Sequence, residues 1–344
     1  MRAVFLPGGR RVDLREVPDP RPGTGQVILA MRASTICGSD LRAIYREHLG
    51  EGPEAYQDVV AGHEPCGEVL EVGPGCIRTG AGDRVVVYHI SGCGLCEECR
   101  RGYRIGCLSP ARRAYGWQRD GGHADLLLAD EADLLPLPDS LSFVDGACVA
   151  CGFGTAYEAL ARAGVSGRDT VLVTGLGPVG LATGLLARAM GAPLVVGIDP
   201  SAERRTLAET LSAVHLAAVD EGPLRDATGG QGAEVAVDCS GSGAGQATAV
   251  RGTRRWGRCV LVGEGGRLTL DVSPDLIHRQ VSLHGSWVTS TGRMAELLDR
   301  LVRWELHPDV VVSDRFELPA ADGAYRLADE GRSGKVALVM PAGS

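Results

Sequence analysis

The chain has 344 residues, enough for two domains or one large one, and 44% of them are apolar, so a sizeable core can be buried. Its 43 acidic residues outnumber 35 basic ones, and the resulting charge of −8, without a basic tail, argues against nucleic acid as a partner. Only one basic residue is a lysine, Lys335, which reads as compositional habit rather than chemical need.

The opening MRAVFLPGGRRVDL has too few consecutive apolar residues for a signal-peptide core. The longest apolar region, 170–198, is broken by GLGPVG and GAP, unlike a membrane helix of ~20 apolar residues. A soluble cytoplasmic protein without a membrane partner is expected. In that reducing compartment its eleven cysteines are ligands or small buried residues rather than disulfides. There is no internal repeat and no low-complexity segment.

The first ~150 residues show short strands punctuated by Gly and Pro, the pattern of a β-rich, partly closed barrel. Cys37 opens the motif CGSD, and AGHEP follows with His63 and Glu64. Residues 92–107, GCGLCEECRRGYRIGC, then place Cys93, Cys96, Cys99 and Cys107 as C-x2-C-x2-C-x7-C. Two-residue gaps let paired thiolates turn onto one ion, and four thiolates close the tetrahedral shell of zinc. A redox CxxC leaves the third and fourth cysteines unexplained, and an iron–sulfur cluster lacks any other electron-transfer motif. The loop is read as a structural zinc site with no open position for chemistry. Cys151 opens CGFGT beyond it. With Cys37, His63 and Glu64 it supplies ligand types zinc favours, although their wide spacing alone does not make a cluster. Cys66, Cys76, Cys148, Cys239 and Cys259 sit in apolar or Gly-rich settings and read as buried thiols.

From 170 to 199 the chain reads TVLVTGLGPVGLATGLLARAMGAPLVVGID. A strand, then G-x-G-x-x-G, then a helical pattern, then a second strand ending in an acid is the dinucleotide-binding arrangement. Gly175 makes the turn, Gly177 lets backbone approach a pyrophosphate, and Gly180 permits close helix–strand packing. Asp199 would accept from the free 2′-hydroxyl of NAD and repel the 2′-phosphate of NADP. Arg204 and Arg205 could hold a phosphate but do not remove that repulsion. Further strands at 233–241, 257–263 and 280–287, with helices between, predict a doubly wound parallel sheet.

Taken together, the cysteine loop, GHE, CGSD and the glycine motif resemble, in order, the zinc-dependent medium-chain alcohol/polyol dehydrogenases over nearly the whole chain. The resemblance implies an α/β fold of two parts: a β-rich GroES-like catalytic domain and a Rossmann doubly wound parallel-sheet domain. It places the catalytic domain at 1–152 with a zinc lobe at 92–108, the NAD domain at 153–286, and a return to the catalytic domain at 287–344. A cleft between them would hold metal, nicotinamide and substrate. It also implies two Zn²⁺ per chain. One is catalytic, on Cys37, His63 and Cys151, with Glu64 as an alternating ligand or a support behind the ligands. The other is structural, on the four-cysteine loop. Asp40 would orient His63, and Ser39 would take the substrate's hydroxyl proton. Thr155, Pro178, Val179, Arg204 and Val262 would join the three glycines and Asp199 in binding NAD. A homodimer or homotetramer is implied.

One departure matters: Arg42 stands where many members carry a proton-relaying histidine, and arginine gives up no proton at working pH. His48, or the cofactor ribose with water, would have to complete the path. The pocket positions hold His48, His89, His123 and Glu264, with Trp287 by the nicotinamide. Such polar groups suit a small polyol, sugar acid or cyclitol, because an alkyl chain would leave their hydrogen bonds unmade. The alternatives are a simple-alcohol or L-threonine-type dehydrogenase, or a non-catalytic NAD-binding zinc protein.

Overall fold

A computed structural model describes residues 1–341 of the chain. They form two units, Met1–Cys151 together with the segment from Ser290 onward, and Gly152–Thr289. These divisions fall one and three residues from the expected ends at 152 and 286. The later one moves because the Ser286 N–H still bonds the Leu261 carbonyl of the second unit's sheet at 3.0 Å. Ser290 instead caps the helix Thr291–Trp304, accepting from the Arg293 N–H at 3.1 Å.

In the first unit the ten-residue strand Gln26–Thr35 is central because it pairs antiparallel with three others. Its partners are Pro65–Val72, Leu126–Asp130 and Lys335–Val339. Val27, Leu29, Met31, Val69, Leu127, Val336 and Leu338 interlock along these strands as one apolar core. Full burial of each large side chain contributes ~1.5–3 kcal/mol. Register sets the functional geometry. Thr35 lies opposite Ala337, Ser34 opposite Pro65, and the Ile36 N–H bonds the Val336 carbonyl at 3.0 Å. The strand ends therefore bring Cys37, Glu64 and Lys335 to one place.

The second unit holds a six-stranded, all-parallel sheet. Its spatial order is 216–218, 194–198, 170–174, 233–238, 253–261 and 282–285. Numbered along the chain this is 3-2-1-4-5-6, the doubly wound order, whose direction reverses between strands 170–174 and 233–238. Val171, Leu172 and Val173 are fully buried, as a strand covered on both faces requires. Among the described residues no helix is long and apolar enough to cross a membrane.

Candidate metal and dinucleotide sites

Both outer cysteines sit on irregular helical turns. Cys37 precedes the short turn Gly38–Asp40, which runs into a π-helical turn at Leu41–Tyr45, and Cys151 lies within another at Val149–Phe153. Such widened turns re-aim a side chain out of the regular ladder and often mark functional sites. One ligand atom each from Cys37, His63, Glu64 and Cys151 lies within 4.8 Å of the others. Asp40, fully buried, ties two of them together. Its Oδ1 lies 2.7 Å from His63 Nδ1, and its Oδ2 accepts from the Cys37 N–H at 2.9 Å. That leaves His63 Nε2 for the sulfur set. The charges call for a cation. A hydrogen bond from Cys151, helped by Lys335 and His63, drives the Cys37 thiol down. Burial pulls the His63 ring down, but Asp40 and Cys37 outweigh it and raise the ring above the ordinary imidazole value. This donor set fits Zn²⁺.

Glu64 belongs to that group by distance, but its carboxylate is also paired elsewhere. Its Oε1 accepts from Lys335 Nζ at 2.8 Å, its Oε2 lies 2.5 Å from the same nitrogen, and Oε2 also takes the Thr35 hydroxyl. Lys335 is 3% exposed and Glu64 not at all. Burial raises the Glu64 carboxyl to about 7 while Lys335 pulls the other way. Lys335 stays charged because Glu64, Cys37 and Cys151 outweigh its own burial. Sequence reasoning missed Lys335 and Thr35. The only signal was a single lysine among 35 basic residues, set inside the strand KVALV.

The three histidines expected to line a pocket separate. His89 lies beside His63, ring centroids 5.3 Å apart. Its Nδ1 is 2.8 Å from the Ala150 carbonyl, which makes Nδ1 the donor and leaves Nε2 an acceptor. Burial, reinforced by His63, lowers it to about 4, so it is neutral. His123 is no pocket wall. It is fully buried and bonds the Tyr325 hydroxyl at 3.1 Å. Its ring fills the space over Gly62, where a Cβ would come within 2.3 Å. Gly62 has φ +92°, so the Gly62–His63 turn rests on that ring. His48 likewise turns away. It bonds the Leu6 carbonyl at 2.8 Å and sets its edge on Tyr56, which removes it as a relay.

Four thiols of the 92–108 lobe also converge within 4.8 Å. A Cβ on Gly92 would lie 2.6 Å from Cys99 Sγ, so only glycine fits there. The N–H groups of Leu95 and Cys96 lower the Cys93 thiol to about 6, favouring the thiolate a metal needs. Arg104 fastens the lobe to the barrel through Asp133 and the Ala132 carbonyl, the latter at 2.7 Å. Asp133 also accepts from Tyr115 at 2.9 Å and Ser91 at 2.5 Å.

In the second unit, Gly175 has φ +85° and backs onto Ser240, where a Cβ would meet backbone at 2.7 Å. A Cβ on Gly180 would strike the Gly175 carbonyl at 1.9 Å. Gly177 is different: its Cβ would meet nothing nearer than Arg204 Nη1 at 4.0 Å. Packing within the chain therefore does not require glycine there, at the start of helix Pro178–Ala189. Val179 lies in that helix's first turn, and Thr155 is half-buried in helix Gly154–Ala163. Val262 bonds the Asp238 carbonyl at 2.9 Å at the switch point. Asp199, 2% exposed, accepts from the Leu176 N–H at 2.7 Å and the Ser201 N–H at 2.8 Å, and its oxygens keep further lone pairs. Arg204 stands 3.6 Å from it, while Arg205 is spent on the Asp199 and Pro200 carbonyls at 2.7 and 2.9 Å. Glu264 and Trp287 are exposed on this unit.

Residues 23–139 match the family described as alcohol dehydrogenase GroES-like domain, and residues 178–303 match zinc-binding dehydrogenase. The chain is 47% identical to the uncharacterized zinc-type alcohol dehydrogenase-like protein YphC of Escherichia coli, over 99% of each. It belongs to the zinc-dependent medium-chain dehydrogenases. The dehydrogenase is also 29% identical to L-threonine 3-dehydrogenase of Pyrococcus horikoshii over 96% of each chain. Among solved structures it is similar to alcohol dehydrogenase TADH from Thermus sp. ATN1, with TM-score 0.88 and 27% identity over 99% of this chain and 100% of that one. Zinc and a nicotinamide dinucleotide are thus the groups this dehydrogenase is built to hold.

Proposed function

We propose that the enzyme oxidises a secondary hydroxyl of a small polar molecule, a polyol, sugar acid or cyclitol-like compound, to the ketone by hydride transfer to NAD. The observation carrying this reading is the set Cys37, His63 and Cys151 with Glu64 drawn onto Lys335 and Thr35. Three ligands and one position open to substrate make a catalytic rather than a structural site. Zinc held there supplies a Lewis acid that lowers the pKa of a substrate hydroxyl, and NAD supplies the hydride acceptor.

The chain's own residues position and deprotonate. Asp40 fixes the His63 ring, and Ser39, half-buried one residue before it, receives the hydroxyl proton. Because Arg42 releases no proton and His48 is tied to Leu6, water completes the path to solvent. His89 offers a neutral acceptor beside His63 for a second substrate hydroxyl, which favours a polyhydroxylated compound. Glu264 and Trp287 keep their substrate and nicotinamide assignments from the family resemblance alone. Asp199 favours NAD over NADP. The four-cysteine lobe holds a second, structural zinc. The exposed edge strand Ser282–Gly285 is a surface through which copies could pair into the implied homodimer or homotetramer. A hydroxy-amino acid is the second substrate reading, since one relative is named a threonine dehydrogenase.

The test is NADH formation by zinc-loaded protein with NAD and a panel of alditols, aldonates, cyclitols, threonine and butanol. Turnover of a polyhydroxylated compound without butanol supports the reading. Turnover of butanol alone overturns the polar pocket.

A further inference from the structure

The turn that carries His63 is held by a glycine-rich loop. Residues 116–123 read GWQRDGGH, and their backbone lies against residues 60–63. The Gly121 N–H bonds the Val60 carbonyl at 2.8 Å, and the Gly122 N–H bonds the Gly62 carbonyl at 2.7 Å. The His123 N–H bonds the Ala61 carbonyl at 2.9 Å. A Cβ on Gly116 would come within 2.8 Å of the His63 nitrogen, and one on Gly121 within 2.3 Å of the Gly62 oxygen. Backbone packed this closely on backbone passes on any displacement, because neither side has rotamers to absorb it. The His123 ring then fills the space beside Gly62.

That ring depends on one hydroxyl. Its Nδ1 lies 3.1 Å from the Tyr325 hydroxyl, and its Nε2 has no hydrogen-bond partner among the described residues. Both residues are fully buried, so bulk solvent does not compete for the bond. Packing alone would be served by apolar rings, since a buried hydroxyl or imidazole costs free energy for every polar atom left unpaired. Tyr325 also meets Tyr45, with ring centroids 5.2 Å apart. Tyr45 ends the turn Leu41–Tyr45, and the Leu41 N–H bonds the Cys37 carbonyl at 3.3 Å. One tyrosine on helix Ala321–Glu330 thus reaches the supports of both Cys37 and His63.

We propose that Tyr325 and His123 are positioning residues for the metal set, their hydrogen bond fixing the His63 turn so that the imidazole meets Zn²⁺ in one geometry. Neither residue touches metal or substrate; both act through the Gly62–His63 backbone. This rests on the zinc dehydrogenase reading given above.

The test uses the zinc-loaded full chain with Tyr325→Phe, which deletes only the hydroxyl, with His123→Phe, which fills the space beside Gly62 without the bond, and with both together. Zinc release to a chelator is followed below the melting temperature of each variant, with the lobe zinc on Cys93, Cys96, Cys99 and Cys107 as internal standard. Release of the other zinc should quicken ~10-fold in either single variant, the low end for groups that support a metal ligand, and no further in the double variant. Cobalt placed in that site should change its visible absorption, which reports ligand geometry, and kcat should fall with KM for NAD unchanged. A merely structural bond would lower the melting temperature while leaving release and spectrum as in the wild type, and that result overturns the proposal. So does a double variant whose release quickens by the product of the two singles. Wild-type protein that holds only the lobe zinc overturns the catalytic site and the positioning role together. Two zinc ions held with no alcohol turned over would fail the reaction reading alone, and release and spectrum would still decide the role of Tyr325 and His123.

Discussion

Lys335→Met isolates the buried ion pair that Glu64 makes beside the metal set. In the folded chain Glu64 is fully buried, and its oxygens accept from Lys335 Nζ and the Thr35 hydroxyl. Removing the ammonium leaves a carboxylate with no counter-charge, and breaking a buried pair from one side costs about 3–5 kcal/mol. That is a large share of a domain stability of about 5–15 kcal/mol. Glu64→Gln alone orphans the lysine instead and should cost a comparable amount. The double variant carries no unpaired charge, so its loss should be well below the sum of the two. Urea unfolding of the metal-free protein and its three variants closes the cycle, with the coupling read as the departure from additivity. A single-variant loss under about 1 kcal/mol, the range of exposed pairs, would refute the reasoning. So would simple additivity.

Three further outcomes follow from the same structure. Burial lowers His89 and His123 to about 4, while their unfolded values lie near the ordinary 6.5. The unfolded chain therefore binds more protons between these limits, so stability is complete above pH ~6.5 and falls by about 3 kcal/mol per histidine as pH drops towards 4. Denaturant melts across that range should slope accordingly, and His123→Leu should flatten the slope by about half. Asp199→Asn removes the charge opposed to a 2′-phosphate, and the NAD-over-NADP ratio of kcat/KM should drop about tenfold or more. Cys93→Ser should remove one zinc by metal analysis and open residues 92–108 to proteolysis, because a structural zinc contributes ~10 kcal/mol to a loop with little core.

What could be read from the chain beforehand was local. The four-cysteine lobe and the glycine turn each gather their groups within about fifteen residues, so spacing alone carries the chemistry. Glycine has a packing reason at Gly92, Gly175 and Gly180, and none within the chain at Gly177. The proposed catalytic set needed the family resemblance, because Cys37 and Cys151 are joined only by the fold. Lys335 was illegible for a physical reason. It reaches Glu64 across 271 positions through the register of two strands on one central partner, and no periodicity encodes register over that distance. His123 and His48 were assigned to the pocket by family resemblance, which does not carry the partner each ring finds in this chain. Here the His123 ring fills the space glycine leaves at Gly62, and His48 satisfies a carbonyl at Leu6.

The most direct measurement pairs zinc content with NADH formation in the wild type, Cys151→Ser and Cys93→Ser, all on one turned-over substrate. Two zinc ions per wild-type chain are expected, with Cys151→Ser losing one of them together with hydride transfer. Cys93→Ser should lose the other and keep catalysis for as long as it stays folded. A Cys151→Ser protein that still forms NADH at the wild-type rate would contradict catalysis at Cys37, His63 and Cys151.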